Sequence, residues 1–287
     1  MITPLWNEIE NVPGALNVSN QRLYLQVFRA FGFTSFVNLR PVDTNQRGTP
    51  PDLAGLAWDD PTMLARWDVA LDSLIELVRE TPQIALAVGN EVDGYFSSHL
   101  SELPAFIRFY RHSLARLHAA LPGIPIGIVT GAPVGNPDAW IGDTLNAYSD
   151  IVLYTYYPFD AGTDFQHRLP ATFEPDMAQM RSRARALNKP IAFTEIGYAS
   201  SPACNSSDAA QAEFVRRFKT YFRAVPRSEA LFANYFLLTD WSSGTLQILF
   251  DYYRFVSPGF AGYLGTLGLR DTLGAPKPAW EAWKGVR

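Results

Sequence analysis

The segment IALAVGNEVDGYF (84–96) is an apolar run that ends in Asn90 and Glu91 and is followed by a short polar stretch. An apolar run of this length predicts a buried strand. The segment KPIAFTEIGYASS (189–201) repeats the plan, with Glu195 at the end of its apolar run. Two such strands indicate a protein with a parallel sheet whose strand ends carry functional side chains.

Outward from these segments, short β-rich runs alternate with longer stretches of helical periodicity. The predicted strands are TPLW (3–6), FTSFVNL (33–39), IALAVGN (84–90), IPIGIVT (124–130), DIVLYTYY (150–157), PIAFTEI (190–196) and ALFANYFLL (230–238). Helices are predicted near 19–31, 61–80, 102–120, 137–147, 174–187, 208–224 and 277–285. Asp60 before Pro61 predicts an N-cap. This order predicts an α/β fold of the (β/α)8-barrel type.

No linker-like segment interrupts the series, so residues 1–287 are predicted to form a single domain. A doubly wound sheet would carry a Gly-rich phosphate loop after an early strand, and none is present. Only seven strands can be counted, which predicts that the first strand–helix unit is missing from this chain. Three alternatives follow: the gap is tolerated, filled by the last segment, or closed by a partner. A longer native protein with a signal peptide, secreted or periplasmic, is a further hypothesis.

Composition narrows the classes of partner. The 24 Lys and Arg residues are dispersed and the net charge is −4, which disfavours nucleic acid. There is no signal-peptide pattern and no apolar run of membrane-spanning length. The aromatic content of 14% suits a ligand with flat faces such as a sugar. An incomplete sheet with open edges also predicts self-association.

Glu91 and Glu195 are 104 residues apart, close to three strand–helix units. Because barrel strands direct their C-terminal ends to one mouth, both carboxylates are expected at one cavity. Different surroundings can keep one carboxyl protonated and the other ionised, as a glycosidase requires. A glutamate at a strand end can also cap a helix or bind a loop, which is the alternative for each one taken singly.

The sequence resembles the large clan of retaining glycosidases built on the eight-stranded barrel, in which an Asn-Glu pair ends the fourth strand and a Glu ends the seventh. Within that clan, AVGNEV (87–92) and TEIGYASS (194–201) look like the acid/base and nucleophile strands of the β-1,3-glucanase family. The resemblance implies that Glu91 is the general acid/base and Glu195 the nucleophile. It also implies that Asn90 binds the hydroxyl beside the anomeric carbon.

Further site residues are implied by the same resemblance. A tyrosine that bonds the nucleophile is assigned to Tyr156, with Tyr154 and Tyr157 as alternatives. Trp241, in LLTDWSSG (237–244), is assigned to the platform beneath the sugar.

Arg40 and Asp43 follow the third strand, whereas the clan places its arginine on the second, so both are assigned to substrate binding only. Trp6 is a weaker candidate of the platform kind. The four histidines show no metal-ligand spacing, and neither a metal nor an organic cofactor is predicted.

The sequence thus predicts a retaining glycoside hydrolase that acts on β-linked poly- or oligosaccharides, by internal or terminal cleavage. The alternative is a non-catalytic carbohydrate-binding protein on an incomplete barrel. A barrel enzyme that uses a Schiff-base lysine is disfavoured, because no predicted strand ends in Lys.

Overall fold

The computed structural model describes residues 1–285, in which strands and helices alternate. The strands are β1 (Ser35–Asp43), β2 (Gln46–Arg47), β3 (Gln83–Asn90), β4 (Ile126–Gly127), β5 (Val129–Gly131), β6 (Val152–Tyr156), β7 (Ile191–Ile196) and β8 (Ala230–Tyr235). The helices are α1 (Trp6–Ile9), α2 (Ser19–Ala30), α3 (Pro61–Arg79), α4 (Val92–Ser98), α5 (Leu103–Ala120), α6 (Ala139–Asn146), α7 (Phe173–Ala186), α8 (Asp208–Ala224), α9 (Ser243–Tyr253), α10 (Pro258–Gly265) and α11 (Pro278–Gly285). All seven predicted helices are present, and the side chain of Asp60 caps α3 by accepting from Thr62 N at 2.7 Å.

Strand pairing forms two four-stranded sheets with the orders β2-β1-β3-β4 and β5-β6-β7-β8. In the first, β1 and β3 run parallel, with Phe36 opposite Ala85. In the second, β7 and β8 run parallel, with Ile191 opposite Ala230. Parallel strands joined through helices agree with the predicted fold class, while strand pairing within residues 1–285 leaves the barrel open.

The chain divides into two compact units. The first comprises Met1–Gly131 with Asp138–Leu153, and the second comprises Ala132–Pro137 with the chain from Tyr154 onward. Glu91 belongs to the first unit and Glu195 to the second. A single domain over residues 1–287 stays a prediction.

The predicted first strand, residues 3–6, is not a regular strand. Ile2 and Leu5 form isolated parallel bridges with β1. The backbone hydrogen bonds of this pairing run from Ile2 N to Phe36 O, from Asn38 N to Ile2 O and from Arg40 N to Pro4 O. Pro4 has no N–H to donate to β1, and α1 begins at Trp6, so the pairing ends at Leu5. The chain turns into α1 instead.

Trp6 is a core residue, which corrects its assignment to substrate binding. It lies in α1 and is fully buried, and its ring packs edge-on with that of Trp67, with 4.8 Å between the ring centroids. Its Nε1–H donates to Glu10 at 2.7 Å, so the indole is satisfied inside the protein. A side chain without exposed surface cannot carry a sugar.

A short C-terminal segment extends the second unit beyond β8. Leu269 N donates to Leu237 O at 3.0 Å, and Arg270 N donates to Leu238 O at 2.9 Å. Thr239 and Arg270 form a parallel bridge. This segment adds a further parallel pairing after β8, and the three alternatives for the missing strand stay predictions.

Candidate active site

Glu91 stands at the sharp turn between β3 and α4. Gly89 has a φ of 93°, and Glu91 itself lies in the left-handed region, with φ 44° and ψ 42°. A Cβ at Gly89 would lie 2.6 Å from Val92 Cγ1, so glycine is required on both conformational and steric grounds. The turn ends the buried run and leaves Asn90 and Glu91 partly exposed.

Arg40, Asp43 and Asn90 form a chain of polar contacts beside this turn. Asn90 Nδ2 donates to Asp43 Oδ1 at 3.1 Å, and Arg40 Nη1 lies 2.8 Å from Asp43 Oδ2. The Asp43 side chain is only 5% exposed, and pairing offsets the cost of burying its charge. Asp43 therefore holds the Asn90 amide instead of facing outward.

Thr44, which the sequence did not indicate as a site residue, contacts Glu91 directly. Its Oγ1 donates to Glu91 Oε2 at 2.7 Å, and its backbone N–H donates to Asn90 O at 2.9 Å. The segment NLRPVDTN (38–45) shows only a polar loop, and no spacing in it indicates which hydroxyl reaches a carboxylate across 47 positions. Pairing between β1 and β3 creates the contact.

Tyr157, not Tyr156, contacts Glu195. The Tyr157 hydroxyl donates to Glu195 Oε2 at 2.6 Å. Tyr156 is buried and donates to Asp176 at 2.6 Å, and burial raises its pKa far above the usual range. The tyrosine that bonds Glu195 is therefore Tyr157, one of the two alternatives from the sequence, and not Tyr156.

Strand periodicity explains this correction. Residues two apart share a face, and the Tyr156 ring contacts Phe173 of α7 at 6.0 Å, so this is the face that meets the helices. Tyr154 is on the same face and is also buried, which removes it from the substrate-binding candidates. Strand β6 ends at Tyr156, and Tyr157 is the first residue after it, so the alternation of faces along the strand does not assign Tyr157 to the face of Tyr156.

Buried hydrogen bonds fix the segment that follows Glu195. Gln211 Nε2 donates to Tyr198 O at 2.8 Å, and Ala199 N donates to His167 Nε2 at 2.9 Å. The His167 ring stacks on Tyr198 at 4.1 Å, and burial lowers the pKa of His167 to about 3. A neutral imidazole can accept this bond, whereas a protonated one could not.

Trp241 is partly buried, and its ring lies edge-to-face with that of Phe236, with 5.5 Å between the ring centroids. The preceding residue, Asp240, lies 3.3 Å from Lys277 Nζ and accepts from Gly268 N at 2.6 Å. Burial raises the pKa of Asp240 and lowers that of Lys277, because removal from water disfavours both charges. The pair anchors the segment between β8 and α9 that carries Trp241.

The sole cysteine, Cys204, is buried, and its Sγ donates to Gly259 O at 3.2 Å. Burial raises the pKa of this thiol to about 12, which keeps it protonated near neutral pH. Across residues 1–285, no three His, Cys, Asp or Glu side chains group as potential metal ligands. None of the helices in that range is both long and apolar enough to span a bilayer.

Parallel strands, covering helices and polar groups at the carboxyl ends of strands define an α/β-barrel protein, a class that includes many glycoside hydrolases. No protein-family model matches the chain, and no curated protein matches its sequence. Solved structures do match.

The exo-β-1,4-mannosidase from Opitutaceae bacterium strain TAV5 is similar with a TM-score of 0.73 and 16% identity, over 98% of this chain and 50% of that one. A GH5_18 protein from Streptomyces cattleya, in complex with Manβ1-4GlcNAc, gives a TM-score of 0.70 and 15% identity over 98% and 68% of the two chains. Xylanase10C from Cellvibrio japonicus gives 0.68 and 12% over 97% and 61%. At these identities the similarity concerns the fold, and it confirms the predicted α/β-barrel class.

Proposed function

We propose that this protein is a retaining glycoside hydrolase for β-linked poly- or oligosaccharides, with Glu91 as general acid/base and Glu195 as nucleophile. The observation that carries the proposal is shared by the two residues. Each ends a parallel strand of a barrel-type fold, and each carboxylate accepts a hydrogen bond from a hydroxyl of a neighbouring loop. Carboxyl ends of barrel strands are where catalytic groups lie.

The chemistry needs only the substrate, the two carboxyl groups and water. In the first step, Glu195 attacks the anomeric carbon, the bond from that carbon to the leaving oxygen breaks, and Glu91 gives its proton to the leaving oxygen. In the second step, Glu91 takes a proton from water, the water oxygen attacks the anomeric carbon, and the Glu195 carboxylate departs. Two displacements return the original anomeric configuration.

Supporting roles follow from the contacts. The Asn90 amide, held by Asp43 and indirectly by Arg40, is proposed to bind the hydroxyl beside the anomeric carbon, where contacts strengthen in the transition state. Trp241 is proposed as the aromatic platform. Several solved structures of similar fold contain carbohydrate, including Manβ1-4GlcNAc and xylopentaose, which supports a sugar as the ligand.

The decisive experiment is hydrolysis of a panel of aryl β-glycosides (gluco, manno, xylo and galacto) by wild type, Glu91→Ala and Glu195→Ala. Glu213→Gln, a partly exposed glutamate of α8, is the matched control. We expect activity in wild type and in the control, and losses of at least about 100-fold in the two alanine variants. The anomer first released, followed by NMR, should be β.

Azide separates the two roles. It should rescue Glu195→Ala with formation of the α-glycosyl azide, and Glu91→Ala with formation of the β-glycosyl azide, because it replaces the nucleophile in one case and attacks the glycosyl-enzyme in the other. Wild-type turnover no faster than that of Glu195→Ala, together with sugar binding by calorimetry, would instead indicate a carbohydrate-binding protein.

A further inference from the structure

Two residues at the turn that carries Glu91 have an unusual backbone conformation. Thr44 has a φ of 54° and Glu91 a φ of 44°, although neither is a glycine. The left-handed region is costly for a β-branched residue such as threonine, and such conformations persist only where surrounding contacts impose them. Thr44 therefore adopts a backbone conformation that threonine disfavours.

The contacts of Thr44 show what imposes this conformation. Its N–H donates to Asn90 O, and its hydroxyl donates to Glu91 Oε2 at 2.7 Å. Gly94 of α4 approaches so closely that a Cβ there would lie 2.8 Å from Thr44 O. Backbone, carbonyl and side chain are thus all held against the turn that carries Glu91.

The hydroxyl suits a carboxyl group that gains and loses a proton. A hydroxyl donates to the ionised carboxylate and, after rotation of its O–H, accepts from the protonated acid. An arginine or lysine in the same place would favour the ionised form alone. Of the charged groups near the turn, Arg40 and Asp43 pair with each other, and Asp93 accepts from Gly131 N at 2.9 Å.

We propose that Thr44 is a positioning residue for proton transfer by Glu91, holding its carboxyl group in place in both protonation states. This inference rests on the proposed glycosidase function. It assigns Thr44 an effect on the proton transfers of Glu91 and no contact with the Glu195 carboxylate. The first transfer, protonation of the leaving group, is the one that kcat/KM reports.

The test compares Thr44→Ser with Thr44→Ala. Both substitutions remove the β-branch and its strain, so the two variants differ by one hydroxyl. Specificity constants, kcat/KM, are measured for a phenyl and a 2,4-dinitrophenyl β-glycoside of the best sugar from the panel. The phenolate of the first needs protonation to leave, and that of the second does not.

We expect Thr44→Ala to lose about 10-fold in kcat/KM on the phenyl glycoside and less than about 2-fold on the dinitrophenyl glycoside, a fraction of the whole general-acid contribution. Thr44→Ser should stay within about 2-fold of wild type on both substrates. Thermal melting of each variant verifies folding, and Thr44→Val, which keeps the shape of threonine, is the second variant if Thr44→Ala melts early.

Equal losses on the two substrates, or equal losses in the serine and alanine variants, would overturn the inference. Failure of the underlying function gives a different result: wild type then hydrolyses neither glycoside, or Glu91→Ala is as active as wild type. A Glu91→Ala loss confined to the phenyl glycoside, without any difference between Thr44→Ser and Thr44→Ala, rejects the role of Thr44 alone.

Discussion

Gly197, two residues after Glu195, offers a sharp test of how the second unit positions its carboxylate. A Cβ at this position would lie 2.6 Å from Phe236 O, 2.7 Å from Tyr157 Cε1 and 2.9 Å from Leu267 Cδ2. Real Cβ atoms do not approach heavy atoms so closely. Gly197→Ala must therefore displace at least one of these neighbours.

The three neighbours differ in how easily they can move away from a new Cβ. The Leu267 side chain can rotate, whereas the Phe236 carbonyl is backbone that follows β8, and the Tyr157 ring is tied through its hydroxyl to Glu195. Overpacking of this kind costs about 1–3 kcal/mol. We expect the melting temperature of Gly197→Ala to fall by roughly 2–5 °C. Activity should fall as well, by about 10-fold or more, because the Tyr157 ring and its bond to Glu195 move together.

Thermal melting and kcat/KM on an aryl β-glycoside measure the two effects. Gly244→Ala is the matched control, because it lies in α9, where the nearest heavy atom to a new Cβ is Ser242 Oγ at 3.9 Å. An alanine there has room and favours the helix, so neither measurement should decline. Gly197→Ala with wild-type melting and wild-type activity would refute the reasoning, and so would equal losses in the control.

Three further predictions follow from the site. Tyr156→Phe should lower stability by about 1–3 kcal/mol in urea titrations, because Asp176 loses a buried partner, while kcat/KM of the folded protein changes little. Tyr157→Phe should do the reverse, lowering kcat/KM at nearly constant urea midpoint through loss of the bond to Glu195, and similar profiles for the two variants would contradict both predictions. Burial lowers the pKa of His167 from 6.5 to about 3, so between these values only the unfolded chain binds a proton at this residue. The free energy of unfolding should therefore decrease by about 1.4 kcal/mol for each unit by which the pH is lowered in that interval. His167→Gln should flatten this part of the urea-midpoint profile, and an unchanged slope would count against the prediction.

The alternation of strands and helices could be predicted because it depends on local composition and periodicity, which need no knowledge of the partner strands. The predicted first strand does pair in parallel with β1, but only as isolated bridges, and the start of α1 at Trp6 that shortens it could not be predicted from local composition. Helices α1, α4, α9 and α10 were not predicted. In α9 the signal was present, because Leu246, Leu249, Phe250 and Tyr253 form an apolar stripe at helical spacing that packs against the core of the second unit.

The same distinction between local pattern and tertiary contact decides which site residues could be predicted. Asn90 and Glu195 could be named because each ends an apolar run, and strand ends are visible in a sequence. The choice between Tyr156 and Tyr157 required knowing which face of β6 meets the helices and where regular alternation stops. Thr44 required the pairing of β1 with β3, a contact across 47 positions that no local pattern records.

The two glutamates are held by hydroxyls of different character, and the difference suits their proposed roles. Tyr157 offers Glu195 a phenolic hydroxyl, which is more acidic than an aliphatic one and a stronger donor to an anion. Such a partner favours a carboxylate that must stay ionised to attack. Thr44 offers Glu91 an aliphatic hydroxyl that donates and accepts with little preference. Exchanging the two hydroxyls should therefore lower kcat/KM. A strong donor beside Glu91 would oppose the protonated state that Glu91 needs in order to act as an acid.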